Sequence, residues 1–112
     1  MSAPTSREEI PPGTLYMLVL KTLSRGGALH GYEIANAIQL TTDDVLQVEE
    51  GSLYPALQRM LIKGWVTAEW GVTAGNRRAR YYKLTAAGRK QLESELQSYQ
   101  RVSGAIQKVL LA

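Results

Sequence analysis

The chain has 112 residues with no cysteine and one histidine, which allows one domain with a modest core and excludes disulfides, thiol nucleophiles and an ordinary zinc site. No apolar run reaches the roughly 20 residues of a membrane helix, and the start lacks a signal-peptide pattern, so we expect a cytoplasmic protein without a membrane partner. The net charge is +3, but residues 52–92 hold eight basic residues and one acid, whereas the remainder holds five basic residues and nine acids. That asymmetry indicates a polyanionic partner or, alternatively, a solvated basic surface.

Residues 1–12 are polar, include three prolines and predict a flexible tail. The segment that follows has apolar residues at the i, i+3, i+4 and i+7 positions of one helix face and more on its other sides. A helix that is apolar nearly all round is covered on more than one side. In so short a chain we expect the second cover to be another subunit, contacted by Leu15 and Leu18. Gly26 and Gly27 end this helix.

A second, shorter helix is predicted over residues 29–40, with Ile34 and Ile38 one turn apart. His30 lies near its start, either as a phosphate contact or, as we favour, as a local packing and hydrogen-bonding residue. The acidic connector that follows ends in Glu49 and Glu50, whose charge suits the N-terminus of the next helix.

The start of the third helix is limited by Pro55, because proline lacks an N–H and is best tolerated in the first turn. The N-cap is therefore predicted between Gly51 and Tyr54, with Ser52 as the best capping side chain. Gly64 ends the helix. The apolar stripe predicted to face the core comprises Leu53, Leu57, Met60 and Leu61.

Two alternating segments rich in β-branched and aromatic residues, 65–70 and 80–84, predict a hairpin whose turn contains glycines and an asparagine. Trp65 and Trp70 could line a ligand pocket, but hairpin tryptophans usually belong to the core, as we expect above all for Trp65. Three cations lie within four positions at the turn, an arrangement that repels itself unless an anion binds nearby. They are Arg77, Arg78 and Arg80.

Thr85 suits the N-cap of a last helix that runs to about Leu110. Apolar residues recur along it at nearly heptad spacing. They are Leu92, Leu96, Tyr99, Ile106 and Leu110. A helix of roughly 25 residues is nearly 40 Å long, too long for so small a body to cover, so this seam is predicted to meet a second copy.

The order helix, helix, helix, hairpin, helix predicts a mainly α (α+β) fold, a winged helix-turn-helix over residues 13–84 with a C-terminal dimerisation helix over 85–112. In this motif the N-terminal part of the third helix approaches base edges in the major groove. The residues expected there are Ser52, Tyr54, Pro55, Gln58 and Arg59. Gln58 suits adenine and Arg59 suits guanine, while the arginines of the turn, or wing, would meet phosphates or the minor groove.

Several sequence blocks resemble the phenolic-acid-responsive repressor (PadR) family of bacterial regulators from about Gly13 onward: GTLYMLVLKTL, HGYEIA, GSLYPALQRM with the KGW that follows, and RRARYYKLTAAGR. The resemblance implies a homodimeric repressor that leaves DNA on binding a small molecule. His30 and Tyr32 match the block that opens the family's second helix. Ser52, Tyr54 and Pro55 match its recognition helix, and the three arginines match its wing. A two-fold dimer implies an inverted-repeat operator in double-stranded DNA.

The single last helix resembles the compact subgroup of the family, some members of which bind flat aromatic drugs between tryptophans of that helix. Here Tyr99 is its only aromatic residue, so the resemblance does not extend to paired tryptophans. The subgroup implies a small aromatic or apolar inducer at the seam, near Leu92, Leu96 and Tyr99.

Two other classes of function compete with this interpretation. A winged helix can be a protein-interaction module without sequence-specific DNA binding, although that function would not need both a polar recognition helix and an arginine wing. An enzyme is not expected, because the sequence has no glycine-rich phosphate loop and no evident carboxylate pair. We predict no cofactor and no metal.

Overall fold

The computed structural model describes residues 8–11 and 13–112 and arranges them in the chain order β1-α1-β2-α2-β3-α3-β4-β5-α4. The helices are α1 (Leu15–Gly26), α2 (Gly31–Thr41), α3 (Glu50–Ile62) and α4 (Ala86–Leu111). The strands are β1 (Glu8–Glu9), β2 (Leu29–His30), β3 (Leu46–Gln47), β4 (Val66–Val72) and β5 (Arg78–Leu84). Three helices, a hairpin and a final helix follow one another as predicted, so the mainly α winged helix-turn-helix class is confirmed.

β5 is the central strand of a three-stranded antiparallel sheet of order β2-β5-β4. The hairpin register pairs Val66 with Leu84 at its base and Val72 with Arg78 near its tip. Alternate residues of a strand point to opposite faces, so Val66, Tyr82 and Leu84 share one face. All three are buried, which shows that the base of this face packs on the helices.

The N-terminal tail differs in part from its prediction. Residues 1–7 and 12 lie outside the described residues, whereas Glu8–Glu9 form β1 and pair in parallel with Leu46–Gln47 of the connector. Part of the segment predicted to be flexible is therefore paired with the connector. Composition alone did not reveal this, because the ladder joins segments that are far apart in the chain.

One apolar core joins the three helices and the sheet. Its largest fully buried side chains come from α1, α2 and α3, and they are Val19, Leu20, Ile34, Leu53, Leu57 and Met60. Trp65 packs partly against this core, with its ring edge-on to Tyr16 at a centroid distance of 5.6 Å. The helices therefore contribute the apolar stripes that their 3.6-residue periodicity predicted.

α3 begins earlier than the sequence predicted. Its N-cap is Glu49, so Ser52 lies within the first turn and Pro55 is already the sixth helical residue. Proline there forfeits one backbone bond, to the Gly51 carbonyl, a loss that the buried stripe on the opposite side of the helix offsets. The acids at positions 49 and 50 suit the positive end of the helix dipole, which favours this earlier start.

α4 is anchored to the hairpin by its first turn. Thr85 caps it as predicted, because Thr85 Oγ1 accepts the Gly88 N–H at 3.0 Å and donates to the Gly64 carbonyl at 2.7 Å. A β carbon on Gly88 would lie 2.1 Å from the Trp65 carbonyl oxygen, so only glycine lets the helix lie this close to the hairpin. Leu92, one turn later, is 7% exposed. It is therefore buried within its own protomer, whereas the sequence predicted it at the dimer seam and ligand site.

The distal half of α4, from Tyr99 to Leu111, extends past the core. Leu96 still packs against the core, whereas the apolar residues beyond it are exposed. They are Tyr99, Val102, Ile106, Val109, Leu110 and Leu111. At about 1.5 Å per residue, the 26 residues of α4 span about 39 Å, in agreement with the predicted length.

Candidate nucleic-acid interface

α3 turns one side to the core and the other to solvent. Leu53, Ala56, Leu57 and Met60 are buried. The middle of the opposite face carries Gly51, Pro55, Gln58 and Ile62, all exposed. Ser52 and Tyr54 lie on its two flanks. The face carries no charge along its centre, and the amide of Gln58 can both donate and accept hydrogen bonds, as base edges require.

Tyr54 joins α3 to the N-terminus of α2. A β carbon on Gly31 would lie 2.8 Å from the Tyr54 hydroxyl oxygen, so the ring lies directly against the glycine. Tyr54 nevertheless remains 47% exposed. A side chain at position 31 would displace Tyr54, which gives a physical reason for finding this glycine and this tyrosine in one chain.

Arg59 lies on the same flank of α3 as Ser52, and its side chain contacts another residue of the protein. Its Nε donates to the Tyr16 hydroxyl of α1, and its Cζ lies 5.7 Å from the centroid of the Tyr16 ring. This partner could not be predicted from local sequence, because the two residues are 43 positions apart. Tyr16 therefore orients the guanidinium that was predicted to meet guanine.

His30 is the N-cap of α2 and forms a capping box with Glu33. Its Nδ1 accepts the Glu33 N–H at 3.4 Å, and its own N–H donates to Glu33 Oε1 at 3.1 Å. Its ring is edge-on to Tyr81 at 5.3 Å and stacks with the exposed Tyr32 at 6.4 Å. His30 therefore makes the local packing and hydrogen-bonding contacts that the favoured interpretation predicts.

The wing ends in a tight loop, residues 73–77. Thr73 N donates to the Arg77 carbonyl at 2.8 Å, and Asn76 N donates to the Thr73 carbonyl at 2.9 Å. Asn76 has a φ of 63°, in the left-handed region that asparagine tolerates better than most residues. The predicted turn is therefore present, and Arg77 lies exposed within it.

Arg78 and Arg80 lie on one face of the wing with Trp70, which pairs directly with Arg80. The Cζ atoms of Arg78 and Arg80 are 4.8 and 5.8 Å from the Trp70 ring centroid. Trp70 is 61% exposed, so it is not the core residue expected of a hairpin tryptophan. The sequence did not predict its position beside the arginines, because that position depends on the strand register.

Tyr82 is the buried neighbour of Arg80 on the same face of the wing. Burial raises the pKa of the Tyr82 phenol above its usual 10.0, the Arg80 charge opposes that rise, and Tyr54 adds to it. The phenol is therefore neutral at physiological pH.

The residues predicted at the dimer seam and ligand site do not lie together in the structure. α1 and α4 border an open groove of about 440 Å³ lined in part by Met17, Glu95, Tyr99 and Val102. Tyr99 is the one predicted ligand residue that lines this groove. Leu15, Leu18 and Leu96 pack partly against the core, whereas Ile106 and Leu110 are exposed.

Within residues 8–11 and 13–112, no group of three or more histidine, cysteine, aspartate or glutamate side chains could hold a metal ion. The same part of the chain contains no helix that is both long and apolar enough to span a bilayer.

Comparison with known proteins gives consistent matches. Residues 19–94 match the sequence model of the transcriptional regulator PadR-like family. A transcriptional regulator from Clostridium thermocellum superposes with a TM-score of 0.78 at 27% identity, over 86% of this chain and 92% of that one. A PadR-like transcriptional regulator from Bacillus cereus gives 0.74 at 28% identity, over 89% and 94% of the two chains.

A PadR family transcription regulator from Clostridium difficile gives a TM-score of 0.71 at 28% identity, over 88% of this chain and 99% of that one. These matches cover most of both chains, and all three structures are of transcription regulators. The family match covers more than half of the chain. The protein is therefore a DNA-binding transcriptional regulator that belongs to the PadR-like family.

Proposed function

We propose that the protein is a homodimeric repressor that binds an inverted-repeat operator through two copies of α3 and the wing, and that a small aromatic or apolar molecule releases it. The observation that supports this most strongly is that one protomer exposes both an α3 face without charge at its centre and a wing with three arginines. Tyr54 of α3 lies against Gly31 at the N-terminus of α2. A polar helix face can meet base edges while the arginines meet phosphates.

In this proposal the residues of the surface have distinct roles. The α3 residues approach the major groove, with Gln58 at the centre of the exposed face and Arg59 held by Tyr16 at its edge. The α3 residues are Ser52, Tyr54, Pro55, Gln58 and Arg59. The wing residues Arg77, Arg78 and Arg80 bind phosphates. Tyr32, which is exposed, and His30, the N-cap of α2, lie at the N-terminus of that helix and approach the sugar-phosphate backbone of the DNA.

The distal half of α4 supports dimerisation. Ile106 and Leu110 are 52% and 70% exposed, and they lie on the same face as Tyr99. Contiguous apolar surface of this kind is rarely left open to water. A second copy covers it in the proposed dimer, in which Leu15, Leu18 and Leu96 border the contact.

The groove between α1 and α4 supports the proposed ligand site. It lies at the base of the distal half of α4, and Tyr99 and Val102 give it an apolar side. A ligand that binds there better when the two α4 helices are displaced would also displace the two copies of α3. Release follows only if the ligand prefers the non-binding arrangement.

The test is the affinity for a random-sequence duplex measured over a range of salt concentrations. A wing that neutralises phosphates gives a steep log–log slope, and Arg77→Ala with Arg78→Ala lowers it by about 0.9 per lost contact. Arg101→Ala with Lys108→Ala is the matched control, since it removes two exposed charges from α4 and leaves the wing intact. A flat salt response of the unaltered protein would favour the protein-interaction module instead.

A further inference from the structure

The distal part of the wing has two chemically different faces. One carries Trp70, Val72, Arg78 and Arg80, which the register places side by side. Trp70 and Val72 are both more than half exposed. Nearer the base, the same face continues into buried Val66, Tyr82 and Leu84, so the face extends beyond the core toward solvent.

The opposite face of the wing has another composition. It carries Glu69, the single acid between residues 52 and 92, together with Gly71, Tyr81 and, nearer the base, the exposed Lys83. A β carbon on Gly71 would lie 2.8 Å from the Tyr81 ring, so that ring covers the glycine. Arg78 and Arg80 are thus separated from the acid by the thickness of the sheet. The charges of Glu69 and Lys83 offset each other, so a polyanion would favour the first face.

The indole ring of Trp70 contacts the guanidinium groups of both Arg78 and Arg80. Two guanidinium groups two residues apart repel each other, and the electron-rich indole face offsets that repulsion. The Nε of Arg80 is buried and has no hydrogen-bond partner among the described residues, so the ring, and not a carboxylate, is its neighbour. The terminal nitrogens of guanidinium groups held in this way remain suited to forked contacts with phosphate.

We propose that Trp70 is a positioning residue of the wing: it sets Arg78 and Arg80 for backbone phosphates and packs its exposed ring against the sugar edge of duplex DNA. The inference rests on the proposed DNA-binding function of the wing and adds an apolar contact to it. The chemistry favours nucleic acid over a protein partner, because an anionic chain with apolar sugar edges matches a ring flanked by two cations.

The first experiment measures the affinity of Trp70→Ala and Trp70→Phe for a random-sequence duplex of about two helical turns, at several salt concentrations. We expect Trp70→Ala to bind about five- to thirty-fold more weakly, because two arginine side chains no longer held by the ring must be ordered on binding. Its salt slope stays unchanged, since no charge is removed. Trp70→Phe falls between the unaltered protein and Trp70→Ala. Thr67→Ala, on the opposite face of β4, is the matched control and binds normally.

The second experiment follows the fluorescence of Trp70 itself in Trp65→Phe, where it is the sole tryptophan. DNA binding is expected to shift its emission and to protect it from acrylamide. Unchanged emission and quenching on saturation with DNA would overturn the proposal, as would Trp70→Ala binding within twofold of the unaltered protein. If Arg77→Ala with Arg78→Ala lowers the salt slope while Trp70→Ala binds normally, the wing function stands and the role of Trp70 fails. If neither variant changes binding, both fail.

Discussion

The wing and the distal half of α4 are the two parts of the chain that extend beyond the core, and their exposed surfaces differ in chemistry. The wing exposes arginines around one indole ring, whereas the distal half of α4 exposes a row of apolar side chains that includes Ile106 and Leu110. Both surfaces lack a partner within the described protomer. A cationic surface attracts a polyanion and is screened by salt, but an apolar surface is covered by another apolar surface and is not.

This contrast shows how one small domain can have two kinds of partner. Both extensions start from the base of the hairpin, since Thr85 and Gly88 fix α4 at the point where β4 begins. Substitutions in either extension, or at the base that they share, test this contrast.

The largest effect is expected from Ile106→Glu with Leu110→Glu. Charges on the apolar row would repel in a dimer, so we expect a folded monomer whose affinity for an operator falls on the order of a hundredfold or more, because two linked half-sites become one. Sedimentation equilibrium and operator binding measure the two consequences.

The thermal unfolding transition of the same double variant provides the control. Both positions lie beyond the core, so the folded protomer is expected to persist. A variant that remains dimeric and binds the operator normally would show that α4 is not the dimer contact.

A smaller effect, on the free energy of unfolding, is expected from Gly88→Ala. The new methyl group would clash with the Trp65 backbone carbonyl and force α4 from the hairpin, with a loss of about 1–3 kcal/mol. Urea denaturation measures it. Gly104→Ala is the control, because a β carbon there meets no atom within 4 Å. It should stabilise the helix by about 0.5–1 kcal/mol, and equal losses at both positions would contradict a specific contact at Gly88.

The smallest effect is expected from Thr85→Ala, which removes the N-cap of α4. Its hydroxyl bonds both Gly88 N and the Gly64 carbonyl, so we expect a loss of about 1 kcal/mol in the free energy of unfolding. Thr85→Ser keeps the hydroxyl and should retain most of the stability. If serine and alanine were equally destabilising, the methyl group and not the hydrogen bonds would carry the contribution.

Most of the fold was predictable because its determinants are local. The apolar periodicity of α1 to α3, the alternation in the hairpin and the glycines and asparagine of its turn each specify an element without reference to the others. The start of α3 was not predictable in this way. Pro55 indicated a later cap, but burial of the stripe on the far side of the helix outweighed the loss of one hydrogen bond.

The candidate site was predictable in composition but not in geometry. The arginine cluster and the basic segment are visible in the sequence, and so is the polar face of α3. The ring contacts of Arg78 and Arg80 with Trp70 depend on strand register. The bond between Arg59 and Tyr16 depends on the packing of α3 against α1.

The sequence by itself determined the order of the elements, the basic charge of the hairpin and the excess length of the last helix, because periodicity, charge and length are properties of a single segment. Only the tertiary structure decided which apolar residues remain uncovered. Leu92 and Ile106 belong to the same helical seam, yet the close approach allowed by Gly88 buries the first, while the second lies past the end of the core. The burial of a side chain depends on which other segments pack against it, and no single segment of the sequence specifies that.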